Sequence, residues 1–204
     1  MTDSTHPSLL LRIRDAGDRQ AWSEFVEVYA PLVYGFARKH GLQDADAADL
    51  TQDVLHAVSS AIGRMDYDPQ RGSFRGWLFT IVRQRLHHAI RRQRRECRGS
   101  GSSSAQIALN AVPAPEDQRA LWEEEYEGQL FSCAAARVRG EFQDSTWRAF
   151  RLTAVEGKSG KEAARALGMT IAAVYLAKRR VLTRLKEEVR RLQGDVDEPL
   201  REER

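Results

Sequence analysis

Two sets of side chains in this sequence are spaced for chemistry, and neither is spaced for catalysis. Asp49, Gln52, Asp53 and His56 recur at i, i+3, i+4 and i+7, so a helix would gather them into one acidic and amide stripe. Such a stripe suits a basic partner helix. Taken alone, a solvated helix face is the simpler account. The second set is Arg83, Gln84, His87 and Arg91, cations that can follow a phosphate backbone together with an amide that both donates and accepts hydrogen bonds to a base. Just ahead of it, Tyr67, Phe74 and Trp77 lie in or beside a turn-rich segment, "MDYDPQRGS". Unstacked bases need aromatic faces of this kind. Core packing is the competing account for these rings, for Trp77 beside Leu78 above all.

The residues that would support catalysis or metal binding are badly placed. His87 and His88 are adjacent and so point about 100° apart on a helix, which is poor geometry for a shared metal. His6, His40 and His56 are scattered, with no HExxH and no Cys/His ligand spacing. No glycine-rich phosphate loop follows a strand, and no G-x-S-x-G occurs. The acids at 123–125 read as a solvated helix surface. The expectation is a protein that is not an enzyme and has neither cofactor nor metal.

Charge is unevenly distributed along the 204 residues, although the net is only +3. Arg83 to Arg98 holds seven arginines and one acid, and Lys178 to Arg191 holds seven bases and two acids. Between them, Glu116 to Glu127 holds six acids and one arginine. Two basic blocks flanking an acidic one predict two polyanion-binding surfaces. The two cysteines, Cys97 and Cys133, lie far apart with no CxxC, as in a reducing cytosol. "MTDSTHPS" has no signal-peptide pattern, and no run approaches the roughly 20 apolar residues of a membrane span. A cytoplasmic protein without membrane insertion is expected.

The elements that must position these residues read as helices throughout, because apolar residues recur at three- and four-residue intervals. Residues 8–16 form a short helix. Residues 18–40 carry the stripe Trp22, Phe25, Val26, Tyr29, Val33, Phe36 and Ala37, with Pro31 expected to kink or split it and Gly41 to stop it. Residues 44–62 turn Leu50, Val54, Leu55, Val58 and Ile62 inward, and the helix after Gly72-Ser73 does the same with Leu78, Ile81, Val82, Leu86, Ala89 and Ile90. After Arg98, "GSGSSSAQIALNAVPAPED" is the clearest domain boundary. The fold class is all-α: two small helical domains, 8–97 and 118–193, joined by a flexible linker at 98–117 and followed by a polar tail at 194–204.

The second domain holds the sharpest local motif, "SGKEAARALGMTIAAVYLAKRRVLTRL". Ala164 is small enough for close helix crossing, Gly168 suits the turn, Thr170 the N-cap, and Val174 the lock on the next helix. This is helix-turn-helix spacing, and a helical hairpin with a solvated basic face is the blander alternative. The second helix carries an uncharged first turn, Ile171 to Val174, then Tyr175, Lys178, Arg179, Arg180 and Arg184. Base-edge and phosphate contacts in a major groove fit that order.

The run Asp49-Leu50-Thr51-Gln52-Asp53-Val54, the segment Phe74-Arg75-Gly76-Trp77-Leu78 after it, and the helix-turn-helix together resemble sigma factors of the extracytoplasmic-function (ECF) class. The first domain resembles sigma region 2 and the second sigma region 4. The resemblance implies that Asp49, Gln52, Asp53 and His56 grip the clamp helices of the largest subunit of core RNA polymerase. It implies −10 recognition and melting by Tyr67, Phe74, Trp77, Arg83, Gln84, His87 and Arg91. For the −35 duplex it implies Thr170, Ala172, Ala173, Tyr175, Lys178, Arg179 and Arg180. Promoter DNA, the polymerase clamp and flap, and an anti-sigma factor of the kind that restrains many members are the partners it brings. Gln84 stands where the family often has Asn, and Tyr175 and Leu176 where more polar residues are usual. A two-domain regulator with the helix-turn-helix but no polymerase-dependent melting is the alternative from the residues alone.

Overall fold

The computed structural model describes residues 9–63, 74–98 and 115–197. In chain order the helices are α1 (Leu9–Arg12), α2 (Arg19–Lys39), α3 (Asp44–Ile62), α4 (Phe74–Arg98), α5 (Pro115–Arg139), α6 (Asp144–Phe150), α7 (Gly160–Leu167) and α8 (Ile171–Asp197). A π-helical turn, Arg151–Val155, extends α6. No strand occurs among the described residues, so the all-α class holds. The chain divides into two compact units, Met1–Gln129 with Asp195–Arg204, and Leu130–Gly194. Residues 99–114, nearly all of the expected linker, lie outside the described residues, as does Tyr67.

In the first unit, Asp18 caps α2 by accepting from the Ala21 amide at 2.8 Å and pairs with Arg12 at 3.0 Å. The Arg12 bond, then the amide, holds the Asp18 carboxyl below the usual range. Phe25, Tyr29, Phe36, Leu50, Val54, Val58, Phe74, Leu78, Val82 and Leu86 close the core between α2, α3 and α4. Val26, expected on the inward stripe, is instead 38% exposed, since it stands about 100° from Phe25.

Pro31 does not split α2, which runs unbroken from Arg19 to Lys39. A proline lacks the N–H that would bond the carbonyl four residues back, that of Glu27. The Gln129 side-chain amide donates to that carbonyl at 3.4 Å. The first turns of α5 therefore belong with this unit. Trp122 and Tyr126 are fully buried there, with the Trp122 ring 5.3 Å from Phe36 and the Tyr126 ring 6.4 Å from Tyr29. Arg75 lies over Tyr126 at 4.7 Å and pairs with Glu123 at 3.2 Å. Lys39 pairs with Glu125 at 2.7 Å, and Gly35 leaves room for that carboxylate, which a Cβ there would overlap. This corrects the expectation of a solvated acidic surface at 123–125: only Glu124 is exposed, while Glu123 and Glu125 are half-buried and paired.

The second unit forms around Ala149, Ala163, Ala164, Val174 and Ala177, small residues that let α6, α7 and α8 approach closely. Ser159 and Glu162 cap α7 reciprocally, and Gly168 ends it at φ 66°, the left-handed region that favours glycine. The Ala173 amide donates to the Thr170 hydroxyl at 3.1 Å, so Thr170 is the N-cap of α8. The helix-turn-helix geometry expected at 159–186 is present.

Candidate nucleic-acid interface

Asp49, Gln52, Asp53 and His56 are all exposed on α3, while Leu50, Val54 and Val58 are buried on its other side. The helical period alone produces this division, and burial of the apolar face fixes which side meets solvent.

On α4, Gln84, His87 and Arg91 are exposed, and Arg83 and Trp77 are half-buried. At about 100° per residue, Trp77, Thr80, Gln84, His87 and Arg91 fall within one quadrant, with Arg83 at its margin. The expected stripe is present as a face. Partial desolvation first, then Arg83 and Arg91, holds His87 below the usual imidazole value and favours its neutral form. A neutral ring can donate and accept, whereas its arginine neighbours only donate.

Phe74 corrects the expectation of a base-stacking ring. It is fully buried, edge-on to Phe25 at 6.0 Å and to Tyr29 at 5.7 Å. No base reaches it without unpacking the core. Trp77 packs beside it at 5.4 Å and remains half-exposed, so of the two described rings it alone offers a surface.

A groove of about 500 Å³ separates the two faces, lined by Asp46, Asp49 and Asp53 from α3 and by Gln84, Arg85, His88 and Arg92 from α4. Arg92 pairs with Asp46 across it at 3.4 Å. Sequence reasoning missed Arg85, His88 and Arg92 as a wall facing the acids. Pairing between helices depends on how α3 and α4 cross, and neither sequence pattern encodes that.

On α8, Ala172, Tyr175 and Arg179 share an exposed face that continues through Thr183 and Lys186. The last two were missed, though their i+4 and i+7 spacing from Arg179 was a usable signal. Lys178 is half-buried, its ammonium 3.5 Å from the Thr153 carbonyl in the π-turn. Ala173 and Arg180 fall well to the side of the Arg179 line, about 100° or more around the helix. Arg184 is not a free phosphate contact as expected. It binds Glu141 with two nitrogens, at 2.7 and 2.8 Å, and reaches Glu188 at 3.4 Å. Glu188 is buried among Arg137, Arg184 and Arg191, and the Arg191 bond above all holds its carboxyl below the usual range. Part of the second basic block thus stabilises the fold and is not presented to a ligand.

Among the described residues no group of three or more His, Cys, Asp or Glu is placed to hold a metal ion, and no helix is long and apolar enough to cross a membrane. Residues 25–96, spanning most of α2 and nearly all of α4, match the model of the Sigma-70 region 2 family. The chain is 29% identical over 140 residues to the ECF RNA polymerase sigma factor RpoE of Cereibacter sphaeroides, covering 60% of this chain and 76% of that protein. It is 28% identical over 165 residues to the RNA polymerase sigma factor CnrH of Cupriavidus metallidurans, covering 78% and 81%. With the RNA polymerase sigma factor NccH of Alcaligenes xylosoxydans xylosoxydans it shares 27% over 176 residues, covering 85% and 89%. The solved structure of CnrH in complex with the cytosolic domain of CnrY aligns with 90% of this chain and 96% of that one, at 21% identity and a TM-score of 0.34. The chain thus carries a Sigma-70 region 2 match across α2–α4 and is similar over most of its length to named RNA polymerase sigma factors, the ECF factor RpoE among them.

Proposed function

We propose that this protein is a sigma factor of the ECF class that binds core polymerase through the exposed α3 face, holds the −10 element as an opened strand on the outer face of α4, and reads the −35 element as duplex with α8. The observation that carries this is the sorting of charge around one core. Asp49, Gln52, Asp53 and His56 reach solvent from α3, and Gln84, His87 and Arg91 reach it from α4. An acidic face suits the basic surface of a protein partner, and Arg91 with neighbouring amide and imidazole groups beside a half-exposed tryptophan suits the phosphates and bases of single-stranded DNA. The domains follow the same division, with 8–97 as the region 2-like part and 118–193 as the region 4-like part, though the first turns of α5 pack in the first unit. The polymerase clamp and flap are the proposed docking sites. An anti-sigma factor, which the family resemblance brings, would act by covering these faces.

Reconstitution with core polymerase tests the assignment. Asp53→Arg reverses an exposed charge on the α3 face, so co-purification with core should fall at least tenfold while the thermal unfolding midpoint stays unchanged. Unchanged co-purification would refute the α3 face. Tight sequence-specific duplex binding without polymerase would instead favour a regulator that does not melt promoters.

A further inference from the structure

We propose that the start of α8 reads thymine 5-methyl groups in the −35 duplex through Ile171, Tyr175 and Leu176; this rests on α8 being the duplex-reading helix. These three side chains are 43%, 56% and 49% exposed, while their neighbours Val174 and Ala177 are buried and fix the rotation of the helix. With Ala172 they form an apolar surface centred on the line that continues to Arg179, Thr183 and Lys186.

Three features fit this surface to DNA. Cations on the same face, Arg179 and Lys186, match phosphate, which a purely apolar protein-docking patch would not require. Tyr175 is held in place, because its ring lies against Gly160 so closely that a Cβ there would come within 2.8 Å. From Thr170 to Ala177 there is no Arg, Lys, Asn or Gln to make a bidentate contact to a base, and the Thr170 hydroxyl already accepts from the Ala173 amide. The thymine methyl is the one apolar group on a major-groove base edge, and apolar side chains recognise it by burying it. The first two turns of α8 therefore have apolar contact as their main means of telling bases apart.

The test uses the full chain assembled with core RNA polymerase. Promoter duplexes with a randomised −35 segment are selected for binding, and each thymine in the selected segment is replaced in turn by uracil. That change deletes the methyl group and leaves the hydrogen-bonding edge intact. The expected result is a loss of about fourfold in affinity at one or more positions, the factor for one methyl removed from water. The double variant Ile171→Ala, Leu176→Ala should lose that discrimination. A selected segment with no A·T pair, or one in which uracil and thymine bind equally everywhere, overturns the methyl readout and leaves α8 as the duplex-reading helix. Failure to select any −35 sequence overturns that role as well.

Discussion

Phe74 and Trp77 lie one helical turn apart and differ in burial, which separates two jobs that the sequence had given to both. Phe74 is fully buried against Phe25 and Tyr29, and Trp77 keeps one side in solvent. Phe74→Ala should therefore cost about 3–5 kcal/mol of stability, seen as a lower unfolding midpoint. Trp77→Ala should cost less stability and weaken binding of an opened −10 strand by about 1–3 kcal/mol, the range for one lost base–aromatic stack. Equal effects of the two variants on strand binding at matched stability would remove Trp77 from the interface. At this scale the helical period in the sequence separated the polar face of α3 from its apolar one, and Asp49, Gln52, Asp53 and His56 are all exposed. It could not separate the two aromatic rings, because both satisfy the same apolar pattern.

At the scale of elements, the basic blocks divide into charges that face outward and charges that hold helices together. Glu188 ties α8 to Arg137 of α5 and to Arg184 and Arg191 of its own helix. Glu188→Gln should lower stability by about 2 kcal/mol, less than for a fully buried pair because the arginines still reach water. The same group sets a pH dependence. Its carboxyl is held below the ordinary glutamate value, so the folded state binds its proton less readily than the unfolded chain does. The stabilisation is complete above the ordinary value and is lost as pH falls through that range toward the lower folded value. Unfolding midpoints measured down that range should drop more steeply for the wild type than for Glu188→Gln. The period of α8 was legible in its sequence and the partner of each arginine was not, since Arg184 meets Glu141 only once the helices have packed.

In the whole molecule, the first compact unit takes in part of α5. It reaches Gln129 and includes the acidic turns of α5, sealed by Trp122 and Tyr126 and tied by Lys39 and Arg75. A chain ending at Arg98 should therefore be less stable than one ending at Gln129 by several kcal/mol, about the cost of deleting one or two buried aromatic side chains. Paired denaturant titrations of the two fragments read this directly. Equal midpoints would mean that α5 contributes nothing to the unit. A composition shift placed the boundary in the linker, because Gly, Ser and Pro signal loss of regular structure. It cannot report which neighbour a helix beyond the linker packs against.

The helical class, the polar faces of α3 and α4, and the helix-turn-helix with its caps were all legible in the sequence, because each is set by local spacing. Periodicity, a glycine at a turn and a threonine at a helix start act within a few residues of themselves. Packing in three dimensions sets that Phe74 is core, that Arg184 is bound, that Gln129 serves the carbonyl left open by Pro31, and that Ile171, Tyr175 and Leu176 remain exposed. Each of these depends on contacts between residues distant in the chain. Such contacts follow from how helices cross and pack, which one-dimensional spacing does not specify.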